Sequence, residues 1–198
     1  MLINQRPKAK RFPYSSPNQA YASTVTEQQK YRVVKRLDDL EIREYEACIL
    51  MQVSVTGDFM SAGSIAFRPL VNFISGSNQT RQKIAMTAPV IQESASDREH
   101  LVSFVLPAGM SPDDVPLPTD SRVEMVPTPA HFAAARRFGG GWNEHRFETE
   151  GQQLLNAVKA AGLVPIGAIY WARFDPPWKP GFLKRNEAII KIERPKAL

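Results

Sequence analysis

A chain of 198 residues, 43% hydrophobic and 23% charged, is long enough to bury a core and is expected to fold as one soluble globular domain. Its net charge of +5 would suit a nucleic-acid-binding protein, but four of the positive charges lie within residues 1–26, which contain no acid. The remaining 172 residues carry 21 basic and 20 acidic side chains, so no nucleic-acid partner is expected.

The basic segment at the start of the chain is predicted to be a flexible tail over residues 1–29, preceding a single folded domain over 30–198. No apolar stretch approaches the roughly 20 residues of a transmembrane helix, so the expected location is the cytoplasm. Organellar import through the acid-free tail is left open. Cys48 is the single cysteine, which excludes an intrachain disulfide, and its apolar neighbours indicate a buried structural thiol.

The first half of the folded domain predicts three strands followed by a helix. The strands are predicted from alternating or apolar runs at 31–36, 40–45 and 47–55. Asp58 is a suitable N-cap for a helix over about 59–75. Because Pro69 removes a hydrogen bond from a helix interior, the helix is expected either to be kinked there or to begin near Phe67.

A strand is predicted to follow that helix, over residues 82–90. Ser75 to Asn78 close the helix as a C-cap would, and apolar residues alternate from Ile84 to Val90. Pro89 is expected to end the strand, to bulge it or to place it at an edge. A hairpin loop over 92–99 then leads to a further strand.

The second half repeats the pattern of the first after a proline-rich linker at 107–118. Strands, a helix starting after the N-cap Asn143 and ending near Gly162, and a final hairpin are predicted. The strand that ends the first half is predicted at 101–106, and the segments of the second half are strand 122–126, strand 130–138, helix 143–161, strand 168–174 and strand 187–192. Half-repeats at about 30–106 and 120–193 therefore predict an α+β fold with a pseudo-symmetric, duplicated, curved antiparallel sheet or partial barrel flanked by two helices.

Four short motifs stand out against this pattern. They are FISGSN (73–78), KIAMTAPV (83–90), DPPW (175–178) and RNE (185–187). The first two resemble the signature of the SOUL/heme-binding protein family, and the last two resemble its C-terminal signature. The resemblance extends from about residue 31 to 193. It implies the same partial barrel with two helices.

The resemblance also implies a function, which is non-covalent binding of heme or another porphyrin, as a carrier or buffer, in a hydrophobic groove. The groove is expected between the first helix and the C-terminal loop. Carried onto this sequence, its residues are Phe67, Leu70, Val71, Ile74, Trp178, Lys179 and Arg185. Aromatic and aliphatic side chains would contact the ring, and the cations would contact its carboxylates. A protein partner is left open.

No metal-binding or catalytic motif accompanies this groove. His100, His131 and His145 lack the spacing of a metal site, and none is preferred as an axial ligand to iron. The sequence contains neither a nucleophile elbow nor a phosphate-binding loop. No enzyme is expected, and a heme-dependent enzyme would need a proximal ligand that the sequence does not identify.

A second hypothesis comes from another class of protein. The duplicated architecture also resembles the effector-sensing domains of bacterial regulators of the gyrase-inhibitor type, which would bind an amphipathic effector or a partner and have no heme role. A groove for cationic effectors should contain buried acids, and Glu44 and Glu124 are the candidates. No helix-turn-helix pattern precedes Tyr31.

Overall fold

A computed structural model describes residues 26–176 and 178–196. Within them the chain forms two helices and nine strands. The elements in chain order are β1 (Tyr31–Arg36), β2 (Glu41–Tyr45), β3 (Cys48–Thr56), α1 (Phe59–Ile74), β4 (Val90–Ser94), β5 (Glu99–Val105), β6 (Val123–Thr128), β7 (His131–Gly139), α2 (Glu144–Ala160), β8 (Pro165–Arg173) and β9 (Arg185–Ile192). Neither helix in this part of the chain is long and apolar enough to cross a membrane.

The nine strands form one antiparallel sheet in the order β1-β2-β7-β9-β8-β4-β5-β3-β6. The halves exchange strands, because β2 pairs with β7 of the second half and β6 pairs with β3 of the first. The two halves meet at the centre, where β4 pairs with β8. The predicted α+β fold, a curved antiparallel sheet with two flanking helices, is confirmed.

Both helices pack on the same face of the sheet, which we call the helix face. Alternate residues of the strands supply the two faces, so Trp171 points to the helix face and Tyr170 to the opposite face. Helix α1 packs against β3 and β5 through Leu70 and Phe73, and α2 covers β7 and β9. The opposite face carries a third buried cluster around Tyr45, Tyr170 and Ile189.

The predicted helix boundaries follow from their caps. The Asp58 carboxylate accepts a hydrogen bond from the Ser61 N–H at 2.8 Å, and the Asn143 side chain accepts one from Arg146 at 2.9 Å. At the end of α1, Gly76 takes a positive φ of 111°, and the Ser77 N–H donates to the Asn72 carbonyl. These predictions are confirmed. Because α1 begins at Phe59 and contains Pro69, the alternative start near Phe67 is wrong.

The predicted strand over 82–90 is wrong. Only Val90 belongs to β4, and the hairpin loop is confined to 95–98 because residues 92–94 continue the strand. The segment before Val90 is instead held by separate contacts, such as the Ile84 N–H donating to the Ile74 carbonyl at 2.8 Å. Burial does not follow the alternation either, because Met86 is exposed whereas Thr87, Ala88 and Pro89 are all buried. A strand also needs a partner strand, which this segment lacks.

The predicted flexible tail falls mostly on residues 1–25, which lie outside the described residues. Its last residues contact the segment before Pro89. The Ala88 N–H donates to the Glu27 carbonyl, and the Gln29 N–H donates to the Ala88 carbonyl, both at 2.8 Å. The chain between residues 27 and 29 is therefore joined to the folded domain.

Candidate functional site

The loop between β8 and β9 exposes three large apolar side chains. Trp178 is 83% exposed, Phe182 82% and Leu183 55%. Burying these side chains would be favourable, so their exposure on one short loop is typical of a binding surface. We call the segment 174–184 the apolar loop.

The base of the apolar loop is fixed by Asp175. One carboxylate oxygen accepts a hydrogen bond from the Lys179 ammonium at 2.6 Å, and the other accepts one from the Arg185 backbone N–H at 2.5 Å. Burial acts to raise the pKa of Asp175, but these two donors outweigh it and hold the pKa below its usual value. The loop also docks through the Gly140 N–H, which donates to the Gly181 carbonyl at 3.1 Å. The exposed apolar side chains therefore stand on an ordered base.

The four predicted groove residues of α1 separate into two pairs. Leu70 and Ile74 are buried in the core against the sheet. Phe67 is 40% exposed and meets Phe104 edge-to-face with ring centroids 5.5 Å apart, and Val71 is partly buried. Phe67 and Val71 thus have surface available to a ligand, and Leu70 and Ile74 form the layer beneath them.

Arg185 is directed away from α1, although it was predicted as a groove residue with Phe67. Its guanidinium donates to Glu187 at 2.8 Å and to the Tyr31 hydroxyl at 3.3 Å, on the face opposite the helices. It also stacks on the Phe174 ring at 3.8 Å. The structure therefore does not bring Arg185 together with the α1 residues, and its backbone N–H is the group that supports the apolar loop.

Sequence reasoning missed a residue on the helix face, Arg173, which directly precedes the apolar loop. Its guanidinium lies 3.3 Å from the Trp142 ring centroid, donates to Gln92 Oε1 at 2.7 Å and contacts Gly63 of α1. Burial lowers the pKa of Arg173 to about 9. One feature of the sequence does point to its position. Arg173 follows Trp171 by two residues in the same strand, so the two side chains lie on the same face of the sheet.

The opposite face contains a buried ionic network. Arg43, which is 3% exposed, donates to both carboxylate oxygens of Glu187 at 2.6 and 3.1 Å and to the Tyr45 hydroxyl at 3.0 Å. Arg43 also contacts the more exposed Glu41 at 2.8 Å. Burial acts to raise the pKa of Glu187, but Arg43 and Arg185 outweigh it and hold the pKa below its usual value. These groups stabilise one another's charges.

The three histidines occupy separate environments. His100 is bonded to Ser94 and to the Gly57 carbonyl, and His145 is exposed in the first turn of α2. His131 stacks on Tyr45, and burial lowers its pKa. Among residues 26–176 and 178–196, no three histidine, cysteine or acidic side chains are grouped as metal ligands would be.

The two candidate acids for a cationic effector are both at the surface. Glu44 pairs with Arg32 at 2.5 Å across β1 and β2. Glu124 is exposed on the edge strand β6. Neither is a buried carboxylate, so neither has the environment expected for recognition of an apolar cation.

A single antiparallel sheet with two helices on one face defines a class of small α+β proteins. The chain belongs to the SOUL heme-binding protein family, whose model matches residues 26–191. The resemblance inferred from the motifs is thereby confirmed. The proteins named Heme-binding protein 1 of Xenopus tropicalis and Xenopus laevis are each 27% identical over 154 residues, covering 74% of this chain and 80% of theirs.

Solved structures share the fold at low identity. The C-terminal domain of EcmrR superposes with a TM-score of 0.61 at 12% identity, covering 83% of this chain and 99% of that domain. A structure titled as a hydrolase from Listeria innocua has a TM-score of 0.55 at 11% identity, covering 81% of this chain and 94% of that one. These similarities extend to the architecture only.

Proposed function

We propose that this protein binds heme or a related tetrapyrrole non-covalently, as a carrier or buffer without catalysis, in a groove between α1 and the apolar loop. The observation that carries the proposal is the exposure of Trp178, Phe182 and Leu183 on one loop with an ordered base. A flat apolar ring would remove this surface from water, and binding sites combine such walls with a few polar groups.

The position of the loop supports a groove that includes α1. Arg173 contacts Gly63 of α1, and the apolar loop starts at the next residue, so the loop leaves the sheet beside that helix. In the proposed groove, Phe67 and Val71 of α1 face Trp178 and Lys179 of the loop. Leu70 and Ile74 support the α1 wall from the core, and Arg185 supports the loop.

Family membership and the names of the two frog relatives support heme or a related ring as the ligand class. When bound, heme supplies redox-active iron. His100 is engaged by Ser94 and Gly57, and His131 lies on the face opposite the helices, so neither faces the groove. We therefore propose that packing and carboxylate contacts hold the ring, with iron ligation contributing little.

A cationic effector is less well supported by the charges. Among the described residues, Glu187 is the one fully buried carboxylate, and it is already bonded to Arg43 and Arg185. The groove side of the sheet instead carries Arg173 and the loop carries Lys179. This balance favours an anionic, apolar ligand over a cationic one.

Hemin titration followed by the Soret band, with iron-free protoporphyrin IX in parallel, tests the proposal. We expect saturable one-to-one binding of both rings. Replacing Trp178 and Phe182 together by alanine should weaken binding about tenfold or more, because stacked aromatic side chains dominate such contacts. The matched control is Leu117→Ala, which removes an exposed apolar side chain (61% exposed) from a different loop and should leave the affinity unchanged.

Two results would contradict the proposal. If neither ring binds saturably to the unaltered protein, the tetrapyrrole function is wrong for this chain. If the Trp178/Phe182 double variant binds as tightly as the Leu117→Ala control, the ring binds elsewhere. Selective binding of hemin over the iron-free ring would show that an iron ligand contributes.

A further inference from the structure

We propose that Arg173 forms a carboxylate-binding site at the floor of the groove, between α1 and Trp142, and that it takes one propionate of the tetrapyrrole. This inference rests on the function proposed above and adds a specific anchoring residue to it. Arg173 is not among the residues predicted from the sequence.

Arg173 is a largely buried cation without a counter-ion among the described residues. Within that part of the chain, its one side-chain hydrogen bond goes from Nη2 to the neutral amide of Gln92, and the enclosed Nε has no acceptor there. The buried Arg43, by contrast, is bonded to Glu187 and Glu41. Because a buried charge without a partner is costly, the empty donors of Arg173 indicate a place for an anion.

The surroundings of Arg173 hold its guanidinium in one orientation. Gln92 is fully buried, and its Nε2 donates to the Phe59 carbonyl at 2.5 Å, which turns Oε1 toward the guanidinium. Trp142 donates from Nε1 to Asn186 Oδ1 at 2.9 Å, so the ring beneath the guanidinium is also fixed. The planar donor group is therefore positioned before any ligand arrives, which lowers the cost of binding.

A glycine provides the space that the guanidinium occupies. A Cβ atom at Gly63 would collide with Nη1 and Nη2 of Arg173, so the close approach of α1 depends on the absence of a side chain there. Phe67 lies one helical turn further along α1. A ring resting against Phe67 could thus direct a carboxylate toward the Nη1 edge of Arg173. The fork of N–H donors on arginine matches the planar carboxylate.

A comparison of two probes tests the site, namely protoporphyrin IX and its dimethyl ester, in which both carboxylates are capped. We expect the unaltered protein to bind the diacid about tenfold or more tightly than the diester, because charge-assisted hydrogen bonds are lost on capping. Arg173→Gln should remove most of this difference, and Arg173→Lys should retain part of it. Arg122→Gln, which removes an exposed arginine paired with Asp120, is the matched control and should keep the full difference.

A second readout separates this inference from the tetrapyrrole function. The side-chain Nε–H resonance of Arg173, identified by its absence in Arg173→Lys, is followed by NMR during titration with sodium propionate and with sodium phosphate. A saturable shift with propionate supports the carboxylate site. A shift with phosphate alone, or with neither anion, overturns it.

The combined outcomes are distinguishable. Arg173→Gln could bind porphyrin tightly and still prefer the diacid to the dimethyl ester as strongly as the unaltered protein does. That result would overturn the Arg173 assignment, while the proposed function would stand. A propionate shift in a protein that binds no porphyrin would overturn the assignment to a tetrapyrrole propionate. Thermal unfolding of each variant checks that the fold is intact, so a loss of binding in a folded Arg173→Gln protein is attributable to the missing guanidinium.

Discussion

Replacing Glu187 by alanine is expected to lower the free energy of unfolding by about 3 kcal/mol or more, because breaking a buried ion pair leaves a buried charge behind. The change removes the two Glu187 oxygens that accept hydrogen bonds from Arg43, and one partner of Arg185. Arg43 keeps its contact with Glu41, which is why the lower end of the usual range is expected. Urea unfolding followed by circular dichroism measures the change.

The matched control for this prediction is Glu44→Ala. Glu44 pairs with Arg32, and both side chains are substantially exposed, so the loss should be under about 1 kcal/mol. If Glu187→Ala is no more destabilising than Glu44→Ala, the buried network does not stabilise the sheet in the way described.

The ionisation of Glu187 also determines the direction in which the free energy of unfolding changes with pH. The pKa of Glu187 in the folded protein lies below its ordinary value of 4.5, so folding favours the ionised form. Its contribution is therefore fully present above pH 4.5 and is lost as the pH falls through the lower, folded-state pKa. A Glu187→Gln variant should lose less stability over this acidic window than the unaltered protein, since it has no carboxylate to protonate there.

Leu70→Ala is expected to lower the free energy of unfolding by about 2–5 kcal/mol, because it leaves a cavity in the core beneath α1. Leu70 is fully buried and packs in the same cluster as Met51 and Val102. The measurement is again urea unfolding, with porphyrin affinity determined under conditions where the variant is folded. A change in affinity smaller than that of the Trp178/Phe182 variant is expected, since Leu70 lies in the core behind the proposed groove wall.

Ile65→Ala in the same helix is the control, because Ile65 is 52% exposed and its truncation leaves no cavity. The two variants remove aliphatic side chains from one helix and differ mainly in burial. Equal losses of stability would mean that α1 does not pack on the sheet through the face containing Leu70.

The elements that could be predicted are those whose signals are local. Asp58 and Asn143 cap the two helices through hydrogen bonds to residues three positions later, and Gly76 ends α1 with a positive φ. The segment before Val90 could not be predicted in this way, because its partners are the end of α1 and residues 27–29. The alternation of apolar residues from Ile84 to Val90 therefore did not identify which side chains are buried, since Met86 is exposed and Thr87 is buried.

The candidate site could be predicted only in part, because some of its residues are identified by local composition and others only by the three-dimensional fold. The composition of the apolar loop identifies Trp178 as an unusual residue, since large apolar groups are rare on linkers. The faces of Arg173 and Arg185 could not be assigned, because that requires knowing which face carries the helices. Arg43 and Glu187 meet across 144 positions of sequence, a distance over which no local pattern acts.

The location of the groove is tested most directly by adding iron-free protoporphyrin IX to ¹⁵N-labelled protein and mapping the amide chemical-shift changes. Saturable changes are expected at Phe67 and Val71 of α1 and at residues 178, 179 and 181–183 of the apolar loop, where the backbone carries an amide N–H. Amides around Tyr45 and Tyr170, on the opposite face, should move little. Changes centred on those two tyrosines, or no saturable change, would contradict a tetrapyrrole groove between α1 and the apolar loop.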